Sequence, residues 1–282
     1  MIIDFHTHIF PRTVQENRDH YFENEPAFQL LYESPKAQLI NAEEMIQAMD
    51  EEGVDLSVVF GFPWKNLASA AEHNDYIMEA VAKYPKRLKG FCCLNPCDEK
   101  AALEVERCLA GGLSGVGELA FYQSGIACEI RDSMAPVMAV CLQKDLPVLI
   151  HTNEPVGHAY PGKTENTLSE IYQFIKQYPM NKIVLAHWGG GIFFYGLLKK
   201  EVKETLKNVW IDTAASPFLY DPAIYRHAID IIGQEKILFG SDYPLIKPSR
   251  YFGELRKIGL TQGALGDICG KNAAGLLAIS GG

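Results

Sequence analysis

The chain has no run of basic residues, and its formal net charge is −9. Proteins that track a phosphate backbone carry a positive stripe, so nucleic-acid binding is disfavoured. No stretch approaches the roughly 18 consecutive apolar residues that a membrane-spanning helix requires. The start, Met1-Ile2-Ile3-Asp4, lacks the basic and then apolar segments of a secretory leader. A cytoplasmic protein without membrane or nucleic-acid partners is therefore expected. Cysteines are few and odd in number, seven at 92, 93, 97, 108, 128, 141 and 269. They lack the C-x2-C…C-x2-C spacing of a zinc site and are expected to be small buried thiols in a reducing compartment. No G-x-G-x-x-G follows an early apolar run, which argues against a dinucleotide-binding open sheet. No linker, low-complexity segment or short repeat interrupts the chain, so residues 1–282 are expected to form a single domain.

What is present is enough apolar material for a sizeable core, 48% of the residues, arranged in a strict alternation. Short β-branched runs fall at 1–6, 56–61, 87–93, 114–119, 147–151, 182–187, 208–212 and 236–240. Amphipathic stretches lie between them at about 41–52, 66–84, 98–111, 132–145, 164–178, 191–206 and 221–233, with another near 249–259. Eight β runs separated by helices predict an α/β fold, a (β/α)8 TIM barrel, which routinely reaches this length as one domain. Asn41 ahead of Glu43-Glu44 reads as a helix N-cap, and Gly53 and Gly111-Gly112 as helix ends. Two additions stand out. Residues 10–40 form an extended β1–α1 loop rich in aromatics (Phe10, Tyr21, Phe22, Phe28, Tyr32), long enough to serve as a lid or binding loop. Residues 264–279 read as an extra C-terminal helix covering the outside or the bottom of the barrel.

Chemistry concentrates where the apolar runs stop. His6 and His8 are two apart on the first run, so in an extended chain both imidazoles point to one side. Glu118, His151, His187 and Asp242 end or follow the fourth, fifth, sixth and eighth runs. A barrel builds its active site at the C-terminal ends of its strands. A lone histidine at such a place is usually a hydrogen-bonded structural residue. Six imidazole and carboxylate groups aimed into one crevice are costly unless paired or metal-bound. His6, His8, Glu118, His151, His187 and Asp242 are therefore candidate metal ligands. Zinc is the expected ion, with manganese, iron or nickel also suited to nitrogen and oxygen donors. Of the remaining histidines, His73 and His227 are expected on helix surfaces, and His158 in the loop after the fifth run.

The motifs Asp4-x-His6-x-His8, His187-Trp188-Gly189-Gly190-Gly191 and Phe239-Gly240-Ser241-Asp242-Tyr243-Pro244, with His151, resemble the amidohydrolase superfamily. The resemblance is to its amidohydrolase-related branch, which includes aminocarboxymuconate-semialdehyde decarboxylase, aromatic-acid decarboxylases and hydrolases. Asn74-Asp75, Pro85-x-Arg87, Asn95-Pro96 and Gly270-Lys271-Asn272-Ala273-Ala274 extend it over almost the whole chain. It implies that His6, His8, His151 and Asp242 are ligands and that His187 is an acid/base or a further ligand. It also implies that Glu118 bridges two ions, one held by His6, His8 and Asp242 and the other by His151 and His187, with a single ion and Glu118 orienting a ligand histidine as the alternative. Two cations so close need an anion between them.

On this basis the expected function is a metal-dependent hydrolase. A metal-activated water would cleave a C–N or C–O bond of a small carboxylated or cyclic molecule, with Asp242 as general base and His187 assisting. The alternative is a metal-dependent non-oxidative decarboxylase of an aromatic or unsaturated acid, a lyase. Substrate contacts are expected from loop residues Trp64, Tyr122, His158, Tyr243 and Lys247, the last as a carboxylate partner. The expected partners are a small-molecule substrate and, on base rates alone, a second copy in a homodimer.

Overall fold

A computed structural model describes residues 1–279. Eight parallel strands run in sequence order: β1 Ile3–His8, β2 Leu56–Phe60, β3 Leu88–Gly90, β4 Val116–Leu119, β5 Pro147–Ile150, β6 Lys182–Leu185, β7 Val209–Asp212 and β8 Ile237–Leu238. β1–β3 form one ladder and β4–β8 another. Two seams close them into a TIM barrel. Between β3 and β4, Cys92 N–H donates to Gly115 O (2.9 Å) and Gly117 N–H to Cys92 O (2.8 Å). Between β8 and β1, Phe5 N–H donates to Phe239 O (2.8 Å), Asp242 N–H to His6 O (2.9 Å) and His8 N–H to Tyr243 O (2.8 Å). The second seam brings Asp242 beside the first strand although 236 positions separate Asp242 from His6.

Among the described residues, seven helices of nine residues or more flank the barrel: α1 Ala42–Glu52, α2 Leu67–Lys83, α3 Ala101–Ala110, α4 Ala135–Gln143, α5 Leu168–Gln177, α6 Ile224–Ile232 and α7 Pro248–Ile258. Asn41 caps α1 as expected. Its side chain accepts from Glu44 N–H while Glu44 reaches back to Asn41 N–H, a capping box that satisfies two free donors at once. The barrel interior is filled by Ile3, Phe5, Val58, Phe60, Phe91, Leu149, Val184 and Leu238, with Phe5 and Phe91 edge to face at 5.6 Å. A larger apolar layer lies between the strands and the helices.

Three departures bear on the site. β1 is not a uniform strand: Asp4 pairs with Ser57 but Thr7 with Val59, so three steps of β1 oppose two of β2. Such a bulge shifts the inward phase. Ile3 and Phe5 fill the interior below it, and His6 and His8 face the mouth above it. Between β6 and β7 the expected long helix is replaced by the tight turns of His187–Leu197 and the short helix Val202–Thr205. Trp188, Gly189, Gly190 and Gly191 all take positive φ (61, 61, 61 and 89°), a left-handed path that no α-helix can continue. A Cβ at Gly190 would also collide with the Asn153 carbonyl. The third departure is the extended β1–α1 loop, which is ordered by helices Arg12–Glu16 and Pro26–Tyr32.

The C-terminal addition is as expected and closes the bottom. Ile268 O accepts from Phe239 N–H (3.0 Å), and Ala273 and Leu276 join the interior cluster. No helix among the described residues is long and apolar enough to cross a membrane.

Candidate metal centre

All six residues expected as ligands converge at the barrel mouth. The strand ends carry His6, His8 and Glu118, and the residues that follow β5, β6 and β8 supply His151, His187 and Asp242. His187 (φ 54°) and Asp242 (φ 61°) are held in the left-handed region that side chains avoid, backbone strain of the kind that clusters at functional sites. The glycine ahead of Glu118 has a related reason. Gly117 has φ 131°, and a side chain there would run into the carbonyl of Leu149 on the next strand.

The carboxylate of Glu118 lies between two pairs of histidines. Oε2 is 3.5 Å from His6 Nε2 and 3.8 Å from His8 Nε2, and Oε1 is 2.9 Å from His151 Nδ1 and 3.5 Å from His187 Nε2. Asp242 Oδ1 stands on the first side, 3.6 Å from His6 Nε2 and 3.3 Å from His8 Nε2. Donors each about 2.1 Å from one ion and about 90–120° apart would be about 3.0–3.6 Å from each other. Apart from the 2.9 Å contact of Glu118 with His151, these spacings match donors arranged around a divalent cation better than direct hydrogen bonds.

Each imidazole is also anchored through its other nitrogen. His6 Nδ1–H donates to Asp212 Oδ2 (2.8 Å), His187 Nδ1–H to Ala214 O (3.0 Å), His151 Nε2–H to Gly162 O (2.9 Å) and His8 Nδ1–H weakly to Gly61 O (3.5 Å). Those bonds place a lone pair on the nitrogen that faces Glu118, the arrangement that orients metal-ligating histidines. His6 Nε2 is fully buried and has no hydrogen-bond partner. An orphaned buried lone pair among carboxylates is costly without a cation. The residues present therefore fit a divalent metal.

Electrostatics point the same way. Burial works against charge on Glu118, yet His6 and His151 hold its carboxyl well below the usual range. Asp242 is likewise pulled down to about 2, with the His8 hydrogen bond and the charges of His6 and His187 outweighing burial. Burial disfavours protonated His187, but the hydrogen bond to Glu118 and the charges of Asp242 and Glu118 lift it to about 8. The crevice holds negative charge and recruits protons where no metal is bound.

Above this floor opens a cavity of about 570 Å3. Its walls are largely apolar or aromatic, among them Leu31, Phe62, Tyr122, Phe218, Leu219 and Leu245. Tyr122 and His158 line it as expected, and Tyr122 leans on the His151 ring at 5.6 Å between centroids. Three expected substrate contacts lie elsewhere. Trp64 is buried, and its indole N–H donates to His73 Nδ1 at 2.9 Å, so the ring belongs to the core beneath the extended loop. Tyr243 faces Met45, Met49 and Glu52 of α1 in a separate crevice. Lys247 is 63% exposed and reaches Glu52 (3.7 Å) instead of the cavity. His73 is not on a surface either. It is 3% exposed, with Nε2–H donating to Ile9 O at 2.8 Å.

Asp212 escaped notice in the sequence, and Tyr32 stood out only as one aromatic of the extended loop. Asp212 ends β7, fully buried, and accepts from His6, His187 N–H (2.9 Å) and Ala214 N–H (3.0 Å). An acid at the end of Val-Trp-Ile-Asp was the available signal, the same one that marked Glu118. Tyr32 comes from the extended loop and is held by Phe10, Phe28 and Phe62. Burial, then the charges of Asp242 and Glu118, push its phenol above the ordinary range, which places it over the floor of the site.

The amidohydrolase family model matches residues 3–279. The chain belongs to the amidohydrolase family. A curated relative, 2-amino-3-carboxymuconate-6-semialdehyde decarboxylase of Dictyostelium discoideum, is 24% identical, covering 93% of this chain and 89% of that protein. Gamma-resorcylate decarboxylase of a Polaromonas species is 26% identical, covering 71% of this chain and 76% of that protein. Among solved structures, 5-carboxyvanillate decarboxylase of Sphingomonas paucimobilis superposes with a TM-score of 0.80 at 20% identity, over 99% of both chains. A dihydroxybenzoic acid decarboxylase from Polaromonas with bound manganese gives 0.72 at 20% identity, over 100% of this chain and 98% of the other. The curated relatives are decarboxylases, which overturns the expectation of a hydrolase and favours the lyase alternative. Glu118 misled because a carboxylate between two histidine pairs does not determine which bond is broken above it.

Proposed function

We propose that this protein is a metal-dependent, non-oxidative decarboxylase of a small aromatic or unsaturated carboxylic acid. The observation that carries this reading is the apolar, aromatic-walled cavity ending on an imidazole–carboxylate floor, in a chain whose curated relatives are decarboxylases. His6, His8, Asp242 and Glu118 Oε2 would hold one ion. The opposite placement of Glu118 Oε1, His151 and His187 supports a second. Manganese is the first metal to test, since it is bound in a structural neighbour, with zinc next.

When bound by these residues, the metal would supply positive charge to offset that of the substrate's acid group. Every other requirement falls on side chains. Breaking the C–CO2 bond leaves its electron pair on carbon, and a proton must reach that carbon as CO2 departs. His187 and Asp242 have donor atoms within 4.8 Å of each other and of His6, and they are the groups placed to hold and deliver this proton. Ala214 O occupies Nδ1–H of His187, so Nε2 is its one free nitrogen: it can carry the proton when a single ion is bound, and with a second ion on Nε2 the proton falls to Asp242. Tyr32, Phe62 and Tyr122 exclude water and confine a flat ring.

The test is CO2 release from a panel of hydroxybenzoates by manganese-loaded protein, run in D2O. One CO2 per substrate consumed is expected, with one deuterium at the vacated carbon. Turnover of amides or lactones without CO2 release from any acid would sink the proposal.

A further inference from the structure

Among the described residues, no lysine or arginine lines the cavity. Three cations on the surrounding loops are engaged elsewhere. Lys163 Nζ contacts Glu154 Oε1 (3.1 Å) and the Val156 carbonyl (2.6 Å), and Lys247 turns out toward Glu52. Arg250 lies over the Phe218 ring at 4.8 Å and donates to Pro217 O (3.0 Å). The fixed negative charges of the cavity, Glu118 and Asp242, are both at its floor. Among the described residues no lysine or arginine offers an anionic group an opposite charge within the cavity, so the metal position between those carboxylates is its best seat. The polar side chains higher in the wall are the phenols of Tyr32, Tyr122 and Tyr160 and the amide of Gln38, with His158 exposed at the rim.

We infer that the cavity selects an aromatic acid bearing a single carboxylate, with hydroxyl or other neutral substituents, and discriminates against ring dicarboxylates. The inference rests on the decarboxylase reading and narrows its substrate class. On one rigid ring, seating the first carboxylate on the floor carries the second into walls made by Leu31, Phe62, Phe218, Leu219 and Leu245. There it loses hydration and meets no lysine or arginine, and a buried charge without an opposite charge is among the most costly groups a site can hold. A neutral hydroxyl at the same position can pair with a phenol or amide. Overall shape makes the opposite suggestion, since a protein acting on 5-carboxyvanillate superposes at a TM-score of 0.80. The cavity lining decides because fold similarity at 20% identity says nothing of which side chains face the ring.

The test uses the full-length, manganese-loaded protein and a matched pair, 5-carboxyvanillate and 2-hydroxy-3-methoxybenzoate, which differ by one carboxylate, together with 2,6-dihydroxybenzoate. Binding is measured by calorimetry and turnover by CO2 release. Binding of the monocarboxylate member at least about 100-fold tighter than its dicarboxylate partner is expected. Equal or tighter binding of the dicarboxylate overturns the inference, and CO2 release in that case leaves the decarboxylase reading intact. The expected selectivity without CO2 release from any compound supports the cavity argument and overturns the decarboxylase reading. Failure of all three compounds to bind overturns the inference.

Discussion

Asp212 gives the sharpest test of how the site is held. It never touches the metal position, yet its carboxylate determines which nitrogen of His6 is free. Oδ1 accepts from the backbone N–H groups of His187 and Ala214, and Oδ2 accepts from His6 Nδ1–H at 2.8 Å. Asp212→Asn is isosteric. With Oδ1 kept on the two backbone donors, the new amide NH2 takes the place of Oδ2 and points a donor at His6. The imidazole must then present a lone pair at Nδ1 and carry its proton on Nε2, the atom that should bind metal. Loss of one such orienting partner typically weakens metal affinity about 10–100-fold, or about 1.4–2.7 kcal/mol. The upper half of that range applies here, because His6 and Asp212 are both fully buried and water cannot replace the lost acceptor. Competition against a chromophoric chelator gives the manganese Kd of wild type and variant, and 15N chemical shifts of the imidazoles report the tautomer. A Kd within about threefold of wild type, with His6 still protonated on Nδ1, would refute the reasoning.

Four further outcomes follow. Elemental analysis of the metal-loaded protein should find about two ions per chain, falling to about one in Glu118→Gln, whose amide cannot bridge two cations; one ion in wild type disproves the bridging role. Trp64→Phe should leave kcat/KM unchanged but cost about 1–3 kcal/mol of stability, because His73 Nδ1 loses its donor in a dry core; a rise in KM without a change in Tm would return Trp64 to the cavity. His73 should also confer a pH dependence on stability. Burial, outweighing its bond to Ile9 O, lowers its folded pKa to about 4 from 6.5, so its contribution is complete above pH 6.5 and is lost as pH falls towards 4. About 2 kcal/mol should be gone by pH 5, read from urea unfolding as the difference between wild type and His73→Gln, and a flat difference between pH 8 and pH 5 contradicts this. Finally, Gly190→Ala should destabilise the protein by several kcal/mol through its positive φ and the Asn153 carbonyl, seen as a clear loss in Tm; an unchanged Tm would mean the turn relaxes freely.

Much of this protein could be read without coordinates. Strand and helix alternation, the Asn41 cap and the places of the six converging candidate ligands depend on periodicity and position within a few residues, and such local signals survive in one dimension. The reaction class could not be read this way, because one imidazole–carboxylate set serves both hydrolysis and decarboxylation. Tertiary structure alone decided what depended on distant partners. His6 meets Asp212 across 206 positions, and Trp64 turned from a wall residue into a core donor because His73 lay buried beneath it. Lys247 lost its expected role because helix α1 brings Glu52 within its reach. The bulge in β1, the split of Glu118 between two histidine pairs and a cavity without cations all arise when the barrel closes. Burial and hydrogen bonding are properties of neighbours in space, and a barrel assembles its mouth from eight loops that are remote in the chain.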